Sequence, residues 1–254
     1  MTNIIINGVN GHMGHVLVGL ADKDPELTVV AGVDPYGTND YSFPVFENLR
    51  ACNVDCDVVV DFSSPKAVDS ILQECEDRSL PIVLCTTGLS DEQLSHVKKA
   101  SRKVAVLRSA NMSLGINTLI NVLKSFSSIF TDAGFDVEIV EAHHNQKVDA
   151  PSGTALALAD AVKEGAGQDY EYVYERQSKR QKRDAKELGI SSIRGGNVAG
   201  THEVMFLGED EQIVFRHEAT SKTVFAKGAL EAAKFLKSQA PGMYDMQDVI
   251  KARV

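Results

Sequence analysis

No tryptophan occurs in the 254 residues, and aromatic side chains make up 6% of them. Four cysteines, Cys52, Cys56, Cys75 and Cys85, are too few for a disulfide framework. Cys52 and Cys56 lie near each other, but no second Cys or His pair follows them, so a structural zinc site is not expected. No stretch approaches the roughly eighteen consecutive apolar residues of a membrane span. The opening MTNIIINGVNG has no basic segment leading into a long apolar run, so no secretory signal is expected. Positive charge is short as well: 26 Lys and Arg face 35 Asp and Glu, a formal −9 with a pI near 5.3. That balance argues against general affinity for nucleic acid or anionic membrane. No internal repeat or low-complexity linker interrupts the chain. These absences lead to the expectation of a reduced, cytoplasmic protein. Its 43% hydrophobic residues can bury a core as one large domain or two modest ones.

What is present begins with a short buried-strand pattern over residues 3–7. It runs into Gly8-Val9-Asn10-Gly11-His12-Met13-Gly14, and an amphipathic helix continues to about Ala21. A glycine-rich turn is common on its own; between strand and helix it has the mechanics of a dinucleotide-binding loop. The first glycine makes the turn, the second admits the pyrophosphate, and the third lets helix pack on strand. Residues 8–13 are therefore the candidate cradle. A second strand, 27–33, ends at Asp34, where an acidic side chain would grip ribose hydroxyls.

Strands over 57–62, 81–85 and 103–107 alternate with helices starting near Pro65 and Ser90, which argues for a parallel sheet with ligands at the carboxyl ends of its strands. Two of those ends carry Thr86-Thr87-Gly88, directly after Cys85, and Ser109-Ala110-Asn111-Met112. Both are expected to lie beside a nicotinamide ribose. A long helical pattern over 114–130 then leaves this first domain.

Chemistry concentrates in EAHHNQKVDAPSGTA, residues 141–155. An alternating strand precedes it and a run of helix formers follows. In between stand His143, His144 and Lys147, and Ser152 is placed to cap the helix whose first amides would open at Gly153 and Thr154. A helix N-terminus with His and Lys beside it, in an acidic protein, is a site for a small anion. Beyond it, residues 165–189 are polar and hold Arg176, Lys179, Arg180, Lys182, Arg183 and Lys186. No aromatic platform accompanies them, so the expectation is a solvated, mobile loop rather than a nucleic-acid patch. Short strands over 190–194, 200–207 and 212–219 read as antiparallel, and a last helix over 224–239 precedes the tail 242–246.

HHNQKVDAPSGTA is similar to the signature of the dihydrodipicolinate reductase family. GVNGHMG, TTG, SANMSLGIN, SIRGGNVAGTHEVMF and HEATSKTVFAKGALEAAKFL resemble further family blocks, in family order along nearly the whole chain. The resemblance implies an α/β protein with a Rossmann-type parallel-sheet domain, residues 1–113 completed by 224–254, and a smaller α+β substrate domain with a mixed sheet, residues 114–223. It implies reduction of a dicarboxylate intermediate of lysine and diaminopimelate synthesis with NADH or NADPH, in a homotetramer. His143 would be the proton donor and Lys147 the second catalytic group, with His144, Gly153 and Thr154 on the substrate carboxylates. The chemistry is consistent on its own terms: hydride attack on a ring conjugated to an imine leaves charge that an acid must quench and a cation can stabilise.

Departures from the family pattern bear on the cofactor. Cys85 stands where glycine is usual, Met112 where phenylalanine is common, and His12 where arginine is frequent. Asp34 is followed by Pro35-Tyr36-Gly37 rather than by an arginine able to pair with a 2′-phosphate, so NADH is the expected preference. Two other readings share the Gly8 turn. A different two-domain dehydrogenase of amino-acid intermediates has no reason to carry HHxxxK before an SGT helix start, and a non-catalytic nucleotide sensor would leave the second domain inert.

Overall fold

The computed structural model describes residues 1–37 and 41–253. The chain runs β1 (Thr2–Asn7), α1 (His12–Ala21), β2 (Leu27–Val33), β3 (Val45–Phe46), β4 (Val58–Asp61), α2 (Pro65–Arg78), β5 (Ile82–Leu84), α3 (Asp91–Ala100) and β6 (Ala105–Leu107). It continues through α4 (Leu114–Asp132), β7 (Asp136–His143), α5 (Gly153–Ala166), β8 (Glu171–Val173), β9 (Glu187–Arg194), β10 (Gly200–Leu207) and β11 (Gln212–Ala219). It closes with α6 (Thr223–Leu236), β12 (Gly242–Tyr244) and α7 (Met246–Lys251). Two compact units result, residues 1–113 with 223–254, and residues 114–222.

The first unit is built on a seven-stranded sheet in the order β12-β6-β5-β4-β1-β2-β3, every neighbouring pair parallel. Strand order reverses between β1 and β4, the crevice where ligands of such sheets bind. Parallel strands are covered on both faces, which explains why β1 and β4 read as unbroken runs of Ile and Val rather than alternating ones. Ile4, Ile5, Ile6, Val58, Val59 and Val60 are fully buried. Each contributes roughly 1.5–3 kcal/mol by leaving water. Pro65 stands at the first turn of α2, where its missing amide costs no hydrogen bond. Ser90 caps α3 in a reciprocal capping box with Gln93. The tail, read without assigned structure, supplies β12, which adds to β6 as an edge strand.

The second unit has a five-stranded sheet, β11-β10-β7-β9-β8. The expected antiparallel pairing holds for β10 with β11 and β7. β9 instead lies parallel to both β7 and β8, so the sheet is mixed. Its core gathers Val137, Ile139, Val204 and Phe206 from the strands with Leu158, Ala159 and Val162 from α5, and Phe130 packs on Phe206 at 4.7 Å between rings.

The polar segment 165–189 departs from expectation. Residues 171–173 form β8, and beyond it Arg176, Lys179 and Arg183 are held by carboxylates, while Arg180, Lys182 and Lys186 are exposed as expected. Arg183 donates to Asp136 at 2.7 Å, to Glu138 at 3.1 Å and to the carbonyls of Val137 and Glu187. Arg176 and Lys179 both pair with the buried Glu187. The acidic partners sit on β7 and β9, up to 47 residues away, so no local pattern could have announced them.

Candidate active site

Each unit carries one cluster of the expected residues. In the first, β1 ends in Asn7 and the chain turns at Gly8, whose φ of +80 favours glycine and where a Cβ would lie 2.7 Å from the carbonyl oxygen of Phe62. A Cβ on Gly14 would lie 2.3 Å from the carbonyl oxygens of Gly8 and Val9, so α1 can start this close to the turn only with glycine there. Gly8, Asn10, Gly11 and Asp34 line one cleft of about 500 Å³ with Ser63, Ser64, Pro35 and Tyr36. The Asp34 carboxylate accepts from the amides of Asn10 at 3.2 Å and Tyr36 at 3.0 Å, and only 8% of the residue is exposed. Val9 is fully buried beneath the turn, whereas His12 is exposed and Met13 half-buried at the start of α1. A cradle that side chains would fill, facing an acidic residue at the end of β2, fits a dinucleotide.

Cys85, Thr86, Thr87 and residues 109–112 do not line that cleft; they follow β5 and β6 at neighbouring strand ends. Cys85 is half-buried, Thr87 exposed and Thr86 buried. Met112 packs into the core, while Ser109 and Asn111 are half-buried and Ala110 is exposed. Sequence reasoning missed the residue that ties the end of β5 to the end of β1. Asp61, fully buried at the end of β4, accepts from Asn7 at 2.6 Å, Ser63 at 2.6 Å and Thr86 at 2.6 Å. Burial pushes its carboxyl above the usual range while those three hydrogen bonds pull it back. A carboxylate closing the buried run Val58-Val59-Val60 was the available signal.

In the second unit β7 alternates strictly, with Val137, Ile139, Glu141 and His143 on the inward face. His143 thus ends the strand pointing inward, 9% exposed, with Nδ1 2.6 Å from the carboxylate of the fully buried Glu141. Arg194, at the end of β9, forks onto both oxygens of Glu141 at 2.8 and 2.7 Å, and the amide of Ser152 adds a bond at 3.1 Å. Burial works against the charge on Glu141, but hydrogen bonds from Arg194, His143, Ser192 and Ser152 win and hold the carboxyl down at about 2. His202, inward on β10, faces the His143 ring edge-on at 5.1 Å between centroids and lies 3.1 Å from Oγ of Ser152. Burial first, then the neighbouring His143, lowers it to about 4, so it is neutral at neutral pH.

The turn between β7 and α5 holds the rest. Ser152 caps α5 by accepting from the amide of Ala155 at 3.1 Å, which leaves Gly153 exposed and Thr154 half-buried in the first turn of a 14-residue helix. His144 is half-buried, and Lys147 Nζ lies 2.8 Å from Asp149 in the same turn. His143, His144, Lys147, Gly153 and Thr154 are therefore brought into one turn and the helix end it leads to. A buried imidazole, a cation and a helix N-terminus together can protonate and hold an anionic ligand. Glu141, Arg194 and His202 had no assigned role from sequence. Polar residues in the inward phase of an alternating strand were the signal for Glu141 and His202.

Two family models match the chain: "Dihydrodipicolinate reductase, N-terminus" over residues 2–112 and "Dihydrodipicolinate reductase, C-terminus" over residues 115–250. The 4-hydroxy-tetrahydrodipicolinate reductase of Caldanaerobacter subterraneus subsp. tengcongensis is 48% identical over 251 residues, covering 99% of each chain. That of Clostridium tetani is 45% identical over 253 residues, covering 99% of this chain and 98% of the relative. Among solved structures, the dipicolinate-bound dihydrodipicolinate reductase from Paenisporosarcina sp. TG-14 superposes with a TM-score of 0.80 at 24% identity, covering 98% of this chain and 99% of that one. A probable dehydrogenase from Thermotoga maritima shares the fold at a TM-score of 0.61 and 12% identity, covering 98% of this chain and 93% of that one.

Proposed function

The chain belongs to the dihydrodipicolinate reductase family, and from that premise we propose that it reduces 4-hydroxy-tetrahydrodipicolinate to tetrahydrodipicolinate in lysine and diaminopimelate synthesis, with NADH preferred over NADPH. The observation that carries the reading is His143 anchored on a buried carboxylate beside a helix N-terminus, with Lys147 in the same turn. A nicotinamide held by the first unit supplies hydride to the substrate ring. His143 gives the proton that quenches the resulting charge, and Lys147 stabilises that charge as it develops, exchanging Asp149 for the substrate. His144 and the amides of Gly153 and Thr154 hold the carboxylates. The first unit holds the nucleotide through residues 8–13 and Asp34, with Cys85, Thr86, Thr87 and Ser109–Met112 toward the nicotinamide; the second holds the substrate. The enzyme acts in the cytoplasm as a homotetramer. No described helix is long and apolar enough to cross a membrane.

The cofactor preference rests on the lining of the Gly8 cleft. Asp34 and Glu47 contribute carboxylates, and no Lys or Arg is among the described residues that line it. A 2′-phosphate there would meet negative charge without a partner, and each missing charge-assisted hydrogen bond is worth about 1.5–3 kcal/mol. The test is oxidation of NADH and NADPH, each coupled to the synthase that makes the substrate, in one buffer. Turnover with NADH at a kcat/KM about tenfold or more above that with NADPH is expected. No turnover with either cofactor refutes the function, and an excess with NADPH refutes the preference.

A further inference from the structure

We propose that Glu141 is the positioning residue of this reaction: its buried carboxylate keeps a proton on Nδ1 of His143 and so assigns the transfer to Nε2. The inference rests on His143 being the proton donor. Glu141 occupies an inward position of β7 two residues before His143, with no exposed surface. Among the described residues, every atom that reaches its carboxylate from outside the imidazole is a donor: both terminal nitrogens of Arg194, the amide of Ser152 and the hydroxyl of Ser192. A carboxylate met only by donors can do nothing but accept, so the ring nitrogen 2.6 Å away must carry the hydrogen. Proton accounting follows. The cationic ring gives its Nε2 proton to the substrate, the Nδ1 proton stays on Glu141's bond, and the ring left behind is the neutral Nδ1–H tautomer that this bond already selects.

The space beside Nε2 agrees. Gly200, first residue of β10, is the neighbour whose Cβ would stand 3.1 Å from Nε2, and it has none. Arg194 extends the arrangement to the ligand turn. The guanidinium that forks onto Glu141 also donates to the carbonyl of Asp149 at 2.6 Å, while Glu141 itself takes the amide of Ser152. Asp149, the partner of Lys147, and Ser152, which precedes Gly153, are therefore both fastened to the Glu141–Arg194 pair.

Glu141→Gln tests the assignment on the full chain. A glutamine must aim its NH2 at one of those donors or at Nδ1, and in the second case it takes away the proton that the cationic ring needs there. Expected is a fall in kcat of about 10²-fold or more, within the range for loss of a positioned acid, with dipicolinate affinity kept within about threefold. In a His143→Gln background the same change should cost less than about threefold, because a residue that acts through His143 has nothing left to position. A merely structural role would instead weaken dipicolinate binding and persist in that background. The second measurement needs no change at Glu141: long-range nitrogen–proton spectra of the imidazoles in the parent–dipicolinate complex, with His143 assigned by its loss in His143→Gln. A proton on Nδ1 supports the proposal, and a bare Nδ1 overturns it. If the parent oxidises NADH but Glu141→Gln matches it, or loses as much without His143, the positioning role is wrong and the function stands. A parent that turns over nothing removes the function, and this proposal with it.

Discussion

Acid should weaken the second unit well before its carboxylates titrate, and His202 is the reason. The ring is 4% exposed, points inward from β10 and sits beside a second imidazole, and its Nδ1 has no hydrogen-bond partner among the described residues. Burial, and next the proximity of His143, bring it from 6.5 down to about 4. An unfolded chain takes up a proton at His202 near pH 6.5, whereas the folded chain resists until about pH 4. The unfolded state therefore binds more protons throughout that window, and stability falls as pH falls. The contribution is complete above pH 6.5 and gone below about 4; at about 1.4 kcal/mol per pH unit it is on the order of 3 kcal/mol. Urea unfolding followed by far-UV circular dichroism between pH 7 and 4.5 measures it, with His202→Asn alongside. Asparagine still offers Ser152 a polar partner but does not titrate. His217 is lowered in the same sense by burial, so the variant should be flatter than the parent, not flat. Glu141, its carboxyl depressed from 4.5 to about 2, adds acid lability between those two values, so the scan from pH 7 to 4.5 reads His202 ahead of it. Equal slopes in parent and variant would refute this account of His202.

Four further outcomes are expected. His143→Gln should lower turnover by roughly 10²–10⁴-fold while NADH still binds, and wild-type turnover in that variant would reject its role. Lys147→Ala should depress turnover severely, whereas Thr154→Val should act mainly by raising the substrate KM; unchanged dipicolinate affinity in both would move the anion site elsewhere. Gly14→Ala should abolish NADH binding or the fold of the first unit, since a Cβ there lies 2.3 Å from two carbonyl oxygens, and tight NADH binding to the variant would contradict that crowding. Pro35→Arg should shift the NADH-to-NADPH ratio of kcat/KM toward NADPH by about tenfold, and an unmoved ratio would show that the turn after Asp34 does not read the ribose.

Features governed by neighbours along the chain were legible from residues alone. The glycines at 8 and 14, the proline opening α2, the serine capping α5 and the alternation of β10 and β11 each answer to local φ, capping or period, and their bounds follow closely. What escaped depends on pairings between distant segments. β9 looks like another antiparallel strand until it is set parallel to β7, and that register brings Arg194 level with His143. The Arg194–Glu141 fork spans 53 residues, Ser152–His202 spans 50, and Asn7–Asp61 spans 54. The basic segment 165–189 read as solvent-facing because its partners Asp136 and Glu138 belong to β7. A side chain's type and phase show which face it takes, but its partner is decided by which strands lie side by side. The proton-donor candidate could thus be picked from sequence, and the phase of β7 marked Glu141 beside it, whereas the Arg194 fork that holds that carboxylate became visible only once the mixed sheet was assembled.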